Sequence, residues 1–307
     1  PDFCELALYD QLADLDRFAA RIRGADAVIV GSFVPEGAEA IRAIAPRTRG
    51  LLAFYDIDTP VTMRKLDSGD HAYVSPELVP LFDLYLSFTG GPTLRRMERQ
   101  YGARMARVLY CAVDAQIYHA TGGPLRWALG YLGTYSEDRQ PLLRRLLIDA
   151  ARVRPRERFV VAGPQYPDSI EWPANVDRIE HLPPAGHAQF YSSLRWTLNV
   201  TRADMVRAGW SPSVRIFEAA ACGSPIISDA WDGIETFLRP GSEMLYARDT
   251  ADVLAALDAP AARRDAIARA ARARTLRGHT AEVRAGELEG HLLDAASRRR
   301  LDVAAAD

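Results

Sequence analysis

The sequence predicts an α/β protein of two lobes, each built on a parallel sheet. Three observations predict it. Short β-rich runs alternate with longer helical patterns, the signature of βα units. The alternation breaks once, near residues 112–126, and then restarts. The 307 residues correspond to two domains at roughly 150 residues each.

In the first lobe the expected strands are Ala27–Gly31, Leu51–Asp56, Leu84–Phe88 and Arg107–Tyr110, with helices over Leu12–Arg23 and Pro92–Tyr101. The stretch Val113–Pro124 has linker chemistry and no helical stripe. Beyond it, strands are expected at Trp127–Leu132, Phe159–Gly163, Arg178–His181, Trp196–Val200, Pro225–Ser228 and Met244–Ala247. Helices are expected over Asp138–Val153, His187–Leu194 and Pro212–Ala221, and the chain is helical from Thr250 onward. The implied organisation is 1–120 for the first lobe, 121–275 for the second and 276–307 for a helical end. Sheets of this kind bind ligands outside the carboxyl ends of their strands, so a cleft faced by both sheets is the expected site.

Composition excludes several classes. Thirty-eight Lys+Arg against 40 Asp+Glu leave a formal charge of −2, so no net basic field exists to hold nucleic acid and none is expected as a partner. A hydrophobic content of 48% excludes a disordered tail. No run approaches roughly 18 consecutive apolar residues, so no membrane span is expected. The opening Pro1-Asp2-Phe3 has no basic-then-apolar pattern, so no signal peptide is expected, and a cytoplasmic location is expected. Cys4, Cys111 and Cys222 match no metal or redox spacing and read as small buried hydrophobes. Neither a metal site nor a cofactor is expected.

The informative segment is 201–235. A polar loop after a strand leads into Ser211-Pro212-Ser213-Val214-Arg215-Ile216-Phe217-Glu218. Ser211 is a good N-cap and Pro212 suits the first helical position. The free N–H groups of such a helix start make an anion site, with phosphate the first candidate. Ser213 and Arg215 add side-chain donors. Glu218 is a carboxylate inside an apolar helix, about 9 Å along the axis from Pro212. That depth suits the ribose of a nucleoside diphosphate; the alternative is an i, i+3 pair with Arg215.

At this point the sequence resembles a known family. "SVRIFEAAACGSPIISDAWDGIETFLRPGSEML" resembles the carboxyl-terminal domain of CgeB-like glycosyltransferases, relatives of the two-lobed GT-B enzymes with Rossmann-like lobes. "YLGTYSEDRQPLLRRLL", "RFVVAGPQYP", "HLPPAGHAQFYSSLRWTLNVTRADM", "AFYDIDTPVT" and "LSFTGG" extend the resemblance over most of residues 25–250. The resemblance implies a bacterial-type transferase that holds a nucleotide-sugar donor on its second lobe and passes the sugar to a hydroxyl acceptor. It implies a ribose ligand at Glu218 and a diphosphate cradle at Ser211, Pro212, Ser213 and Arg215. It further implies donor contacts from Gly133, Thr134 and Arg139, and a segment edging the base at His181 and Leu182.

Two departures follow from the same comparison. Retaining relatives carry a glutamate eight positions before the ribose glutamate, where this chain has Trp210. Related proteins also begin with a strand and a Gly-rich turn, so the first lobe is expected to lack its initial strand.

A transfer with inversion needs a general base. Asp56 and Asp58 follow a strand at its carboxyl end and are the candidates; an Asx turn or helix cap is the alternative. Asp232 and Glu235 are placed to reach donor hydroxyls, although Asp232-Gly233 also suits a simple turn. The arginines of 261–277 and Arg298-Arg299-Arg300 read as a solvated face, with contact to an anionic membrane surface as the alternative. Rival functions are a nucleotide-sugar epimerase and a non-catalytic sugar-nucleotide or glycan binder.

Overall fold

The computed structural model describes residues 4–306, with side chains described through Leu301. Along the chain, helix α1 (Ala19–Gly24) precedes strand β1 (Ala27–Gly31), then α2 (Gly37–Ile44), β2 (Leu51–Asp56), α3 (Thr59–Ser68), β3 (Leu84–Ser87), α4 (Pro92–Tyr101) and β4 (Ala106–Val108). The second series is β5 (Leu129–Leu132), α5 (Gln140–Leu143), α6 (Asp149–Val153), β6 (Phe159–Ala162), β7 (Val176–Ile179), α7 (His187–Ser192), β8 (Thr197–Asn199), α8 (Ala203–Ala208), α9 (Val214–Ala221), β9 (Ile226–Ser228) and β10 (Leu245–Tyr246). Helices α10 (Thr250–Leu257), α11 (Ala261–Gly278) and α12 (Ala281–Ala306) close the chain.

The chain divides into two units. One is Pro1–Leu109 with Gly286–Asp307, and the other is Tyr110–Ala285. In the first unit four parallel strands run in the order β1-β2-β3-β4, with Phe54 opposite Val30 and Tyr85 opposite Phe54. Phe54, Tyr85, Phe82 and Ile41 are fully buried on one side of this sheet. On its other side Leu51, Ala53, Leu84 and Leu86 pack against Leu288, Leu292 and Ala295 of α12. Each leucine, isoleucine or phenylalanine among these stabilises the fold by about 1.5–3 kcal/mol when fully buried.

The second unit holds a six-stranded parallel sheet in the order β10-β9-β8-β5-β6-β7. The first crossover steps from β5 to β6, whereas β8 lies on the opposite flank of β5. The strand order therefore reverses between β5 and β8. In open parallel sheets, ligands sit at that reversal, outside the carboxyl ends.

The structure corrects several sequence expectations. The expected 12–23 helix is 3₁₀ over Leu12–Phe18 and becomes α only at Ala19. The helix expected over 138–153 carries a π turn at Arg144–Ile148. The 201–210 segment was expected to be a loop, but it contains α8. Helix α9 begins at Val214, and its N-cap is Ser213, not Ser211. Both serines have cap chemistry. Ser213 has the extended backbone (φ −77, ψ 139), and its Oγ accepts the Arg215 N–H. Cys4 is exposed, so only Cys111 and Cys222 are the buried hydrophobes expected of all three.

The arginine-rich end is also not simply a solvated face. Arg272 donates to the Ala221 carbonyl and Arg274 to those of Phe237 and Thr236. Arg299 donates to the carbonyls of Gly50 and Arg49 and pairs with Asp83. These guanidiniums cap backbone groups that folding would otherwise leave unsatisfied. Among the described residues, no helix is long and apolar enough to cross a membrane.

Candidate donor site

The site is built on the second unit, at the reversal between β5 and β8. Arg215 lies in the first turn of α9 and is only 7% exposed. Its Nε donates to the carbonyl of Leu132, the last residue of β5, at 2.6 Å. Its Nη1 donates to Asn199 Oδ1, at the end of β8, at 2.8 Å. The guanidinium lies 4.7 Å from the centre of the Tyr131 ring. Arg215 thus bridges the two strands where the order reverses.

Arg139 is the second buried cation, 9% exposed. Its Nη2 donates to the Thr134 carbonyl at 2.7 Å, and its Nε is buried with no partner. Burial lowers its pKa, and the nearby Arg215 and Arg202 add to that. Among the described residues neither Arg139 nor Arg215 has a carboxylate partner; their acceptors are neutral oxygens. Buried charges are ordinarily paired. Two of them converge on the Gly133–Thr134 turn, beside the N-terminus of α9, an arrangement of donors and positive charge that makes this turn the candidate anion site.

Gly133 leaves room for the ends of two side chains. A Cβ at this position would lie 2.7 Å from Tyr131 Oη and 2.8 Å from Arg215 Nη2. Its carbonyl accepts the Tyr166 hydroxyl at 3.0 Å.

Glu218 and Arg215 do not pair with each other. The Tyr191 hydroxyl donates to Glu218 Oε2 at 2.9 Å, and the Tyr118 hydroxyl, which lies 3.2 Å from His187 Nδ1, is also close enough to feel the Glu218 charge. Burial, then the nearness of Glu218, drives both phenol pKa values upward. Glu218 is half-buried and points away from the arginine that sequence spacing offered it.

The remaining expected residues are placed as follows. Ser211 and Pro212 are buried, and the Pro212 carbonyl accepts the Cys111 thiol at 3.6 Å. His181 is exposed beyond the end of β7; the carbonyl of half-buried Leu182 lies 3.3 Å from His187 Nε2. Asp232 has an exposed side chain, and its carbonyl accepts the Trp210 N–H at 2.7 Å. Glu235 is exposed as well.

In the first unit Asp56 is completely buried. Tyr85 donates to Oδ2 at 2.6 Å; Thr62 donates to Oδ1 at 2.8 Å, and the Asp58 N–H adds a third bond. Burial raises its pKa to about 6. An Asp56 carboxyl so enclosed does not meet an acceptor hydroxyl in this structure. Asp58, half-buried at the N-cap of α3, is the solvent-reaching member of the pair.

Sequence reasoning missed a polar relay behind Arg215. Asn199 Nδ2 donates to Ser228 Oγ at 2.9 Å and to Thr201 Oγ1 at 3.2 Å. Thr201 in turn bonds Asp229 Oδ1 through its hydroxyl, at 2.9 Å, and its N–H. Asp229 is buried, and that burial raises its pKa. The relay fixes the Asn199 amide with its oxygen toward Arg215. Its signal was present: Asn199 and Asp229 lie at or just past strand ends, where polar residues in an apolar context face a ligand.

The two parallel sheets, of four and six strands, make an α/β fold whose structural neighbours are GT-B glycosyltransferases. Residues 139–290, which include Arg139, Arg215 and Glu218, match the family model described as glycosyl transferase-like. No curated protein matches the chain. Among solved structures, sucrose-phosphate synthase from Thermosynechococcus elongatus is similar with a TM-score of 0.64 at 13% identity, over 96% of this chain and 77% of its own. Anabaena Alr3699/HepE in complex with UDP and glucose has a TM-score of 0.63 at 13% identity, over 95% of this chain and 81% of its own. A UDP-forming α,α-trehalose-phosphate synthase from Burkholderia xenovorans, in complex with glucose-6-phosphate, reaches 0.66 at 14% identity, over 92% and 76%. At these identities the likeness is one of fold.

Proposed function

We propose that the chain is a glycosyltransferase that takes a sugar from a nucleoside diphosphate and passes it to a hydroxyl. The single observation that carries this reading is the pair of buried guanidiniums, Arg139 and Arg215, without carboxylate partners at the strand-order reversal. In this reading the diphosphate lies against both guanidiniums and the first N–H groups of α9, and Glu218 accepts ribose hydroxyls. The second unit is then the donor side and the first unit the acceptor side. The finer kinship is CgeB-like, supported by the 213–245 segment and by Phe54–Thr62.

The chemistry follows. The bond between the anomeric carbon and the diphosphate oxygen breaks, and that carbon bonds the acceptor oxygen. The acceptor proton goes to a base, for which Asp58 is the candidate carboxylate. The leaving diphosphate gains negative charge as the bond breaks, and prearranged cations stabilise that charge more than the ground state. Arginines in place supply the charge that a divalent cation supplies elsewhere, so we propose a metal-independent reaction and a cytoplasmic setting.

The test is a thermal-shift screen against UDP, GDP, ADP, dTDP and CDP, with and without magnesium. UDP is the first probe because HepE is seen with it. A ligand at about 100 times its Kd adds roughly 2.7 kcal/mol of stability. A selective shift by one diphosphate, unchanged by magnesium, supports the reading; the matching sugar conjugate is then assayed for transfer. No shift with any of the five overturns it, and saturable binding without turnover makes the chain a binder.

A further inference from the structure

Trp210 is built into the loop between α8 and α9 in a way that packing alone does not explain. Its backbone is left-handed, φ 43, a conformation L side chains rarely adopt. Its N–H is fixed on the Asp232 carbonyl at 2.7 Å. Gly233 follows directly, and a Cβ there would lie 2.5 Å from Cγ, Cδ1 and Cδ2 of the indole at once. That equidistance sets Gly233 flat over the pyrrole face of Trp210, a position no other residue could take. The ring is clamped from behind, yet Trp210 is only half-buried, and the adjoining Asp232 carboxylate is exposed. Strained backbone that its surroundings hold in place is characteristic of functional sites.

The pair also has a definite chemistry. A flat, clamped and partly exposed apolar ring suits the C–H face of a pyranose. An exposed carboxylate beside it accepts the hydroxyls at the sugar's rim. Trp210 immediately precedes Ser211-Pro212-Ser213, the segment that leads into α9 and Arg215.

We propose that Trp210 is a specificity-determining residue, with its clamped indole the platform for the donor sugar and Asp232 the acceptor of sugar hydroxyls. The proposal rests on the donor-site reading above. It assigns Trp210 to the sugar and not to the diphosphate, which gives it its own signature.

Calorimetric titration of the wild type with the five diphosphates comes first, then with glucose, mannose and N-acetylglucosamine conjugates of whichever binds. Three variants follow: Trp210→Phe keeps a flat face, Trp210→Gly removes the ring while suiting the left-handed backbone, and Asp232→Asn removes the charge. The expected result is a wild type that binds one conjugate more tightly than its bare diphosphate. Trp210→Gly should lose about tenfold for the conjugate and nothing for the diphosphate, with Trp210→Phe in between. Asp232→Asn should change the ranking of sugars. Equal binding of conjugate by wild type and Trp210→Gly overturns the proposal. So does an equal loss for conjugate and diphosphate, or a wild type that gains nothing from any sugar. If no diphosphate binds the wild type, the donor-site reading itself fails, and the proposal falls with it.

Discussion

The Tyr191 hydroxyl donates to Glu218 Oε2 at 2.9 Å, from a ring that is almost fully buried. A carboxylate held by a rigid phenol is oriented before any ligand arrives, and preorganisation of this kind raises affinity by lowering the cost of ordering. The same contact leaves Glu218 uncoupled from Arg215, so one helix presents a separate cation and a separate carboxylate.

That separation can be tested with two ligands. Glu218→Ala should weaken a nucleoside diphosphate by on the order of 1–3 kcal/mol and leave inorganic pyrophosphate, which has no ribose, unchanged. Isothermal titration with both ligands decides it. An equal loss for both would move Glu218 out of the ribose role.

Arg139→Gln should weaken nucleoside diphosphate and pyrophosphate alike, by about 1.5–3 kcal/mol for a charged hydrogen bond. Its carbonyl partner is one loop oxygen, so the melting temperature should hold. Arg215→Lys should lose affinity and stability together, because a lysine cannot span Leu132 and Asn199 as the planar fork does. Parallel titrations and melts of the two variants would show whether binding and stability separate in this way.

If Asp58 takes the acceptor proton, Asp58→Asn should lower kcat by about 10²–10⁴-fold and leave diphosphate affinity intact. Asp56→Asn should act on stability instead. A steady-state comparison of the two, once a donor is known, assigns the roles; full activity in Asp58→Asn would remove it from the chemistry.

Asp56 also predicts a pH dependence with a definite sign. Burial raises its carboxyl from 3.8 to about 6 in the folded state. The stability this group contributes is complete below about pH 4 and is lost as pH rises through 6, on the order of 3 kcal/mol in all. His279, stacked on Phe217, works in the opposite direction: burial, with Arg284 and Arg274 nearby, lowers it to about 4. Its contribution is present above pH 6.5 and is lost on acidification toward 4. Chemical denaturation of wild type, Asp56→Asn and His279→Gln between pH 4 and 7.5 isolates each term. A flat difference between wild type and Asp56→Asn would mean that the carboxyl does not titrate in this window.

Much of the fold was legible in the sequence because buried parallel strands are short, continuous apolar runs. Leu51–Asp56 reads as such and forms as such, and the run read as Phe159–Gly163 forms over Phe159–Ala162; Ala27–Gly31 forms too, but at the sheet edge with only Val30 buried. The start of α9 was less legible, since Ser211 and Ser213 carry the same cap chemistry and only the loop's path selects between them. Helix α8 was hidden because its six residues are too few to show a periodic stripe and none of them is buried.

The sequence by itself determined the α/β class, the alternation of elements and the residue types gathered in 201–235, because periodicity and residue chemistry are local. Tertiary structure decided which of those residues share a site. It turned Arg215 to the β5–β8 reversal instead of to Glu218, enclosed Asp56 while leaving Asp58 half-buried, and set Gly233 against the Trp210 indole. Burial and direction depend on chain segments far apart in sequence, and spacing along one helix or one turn does not encode them.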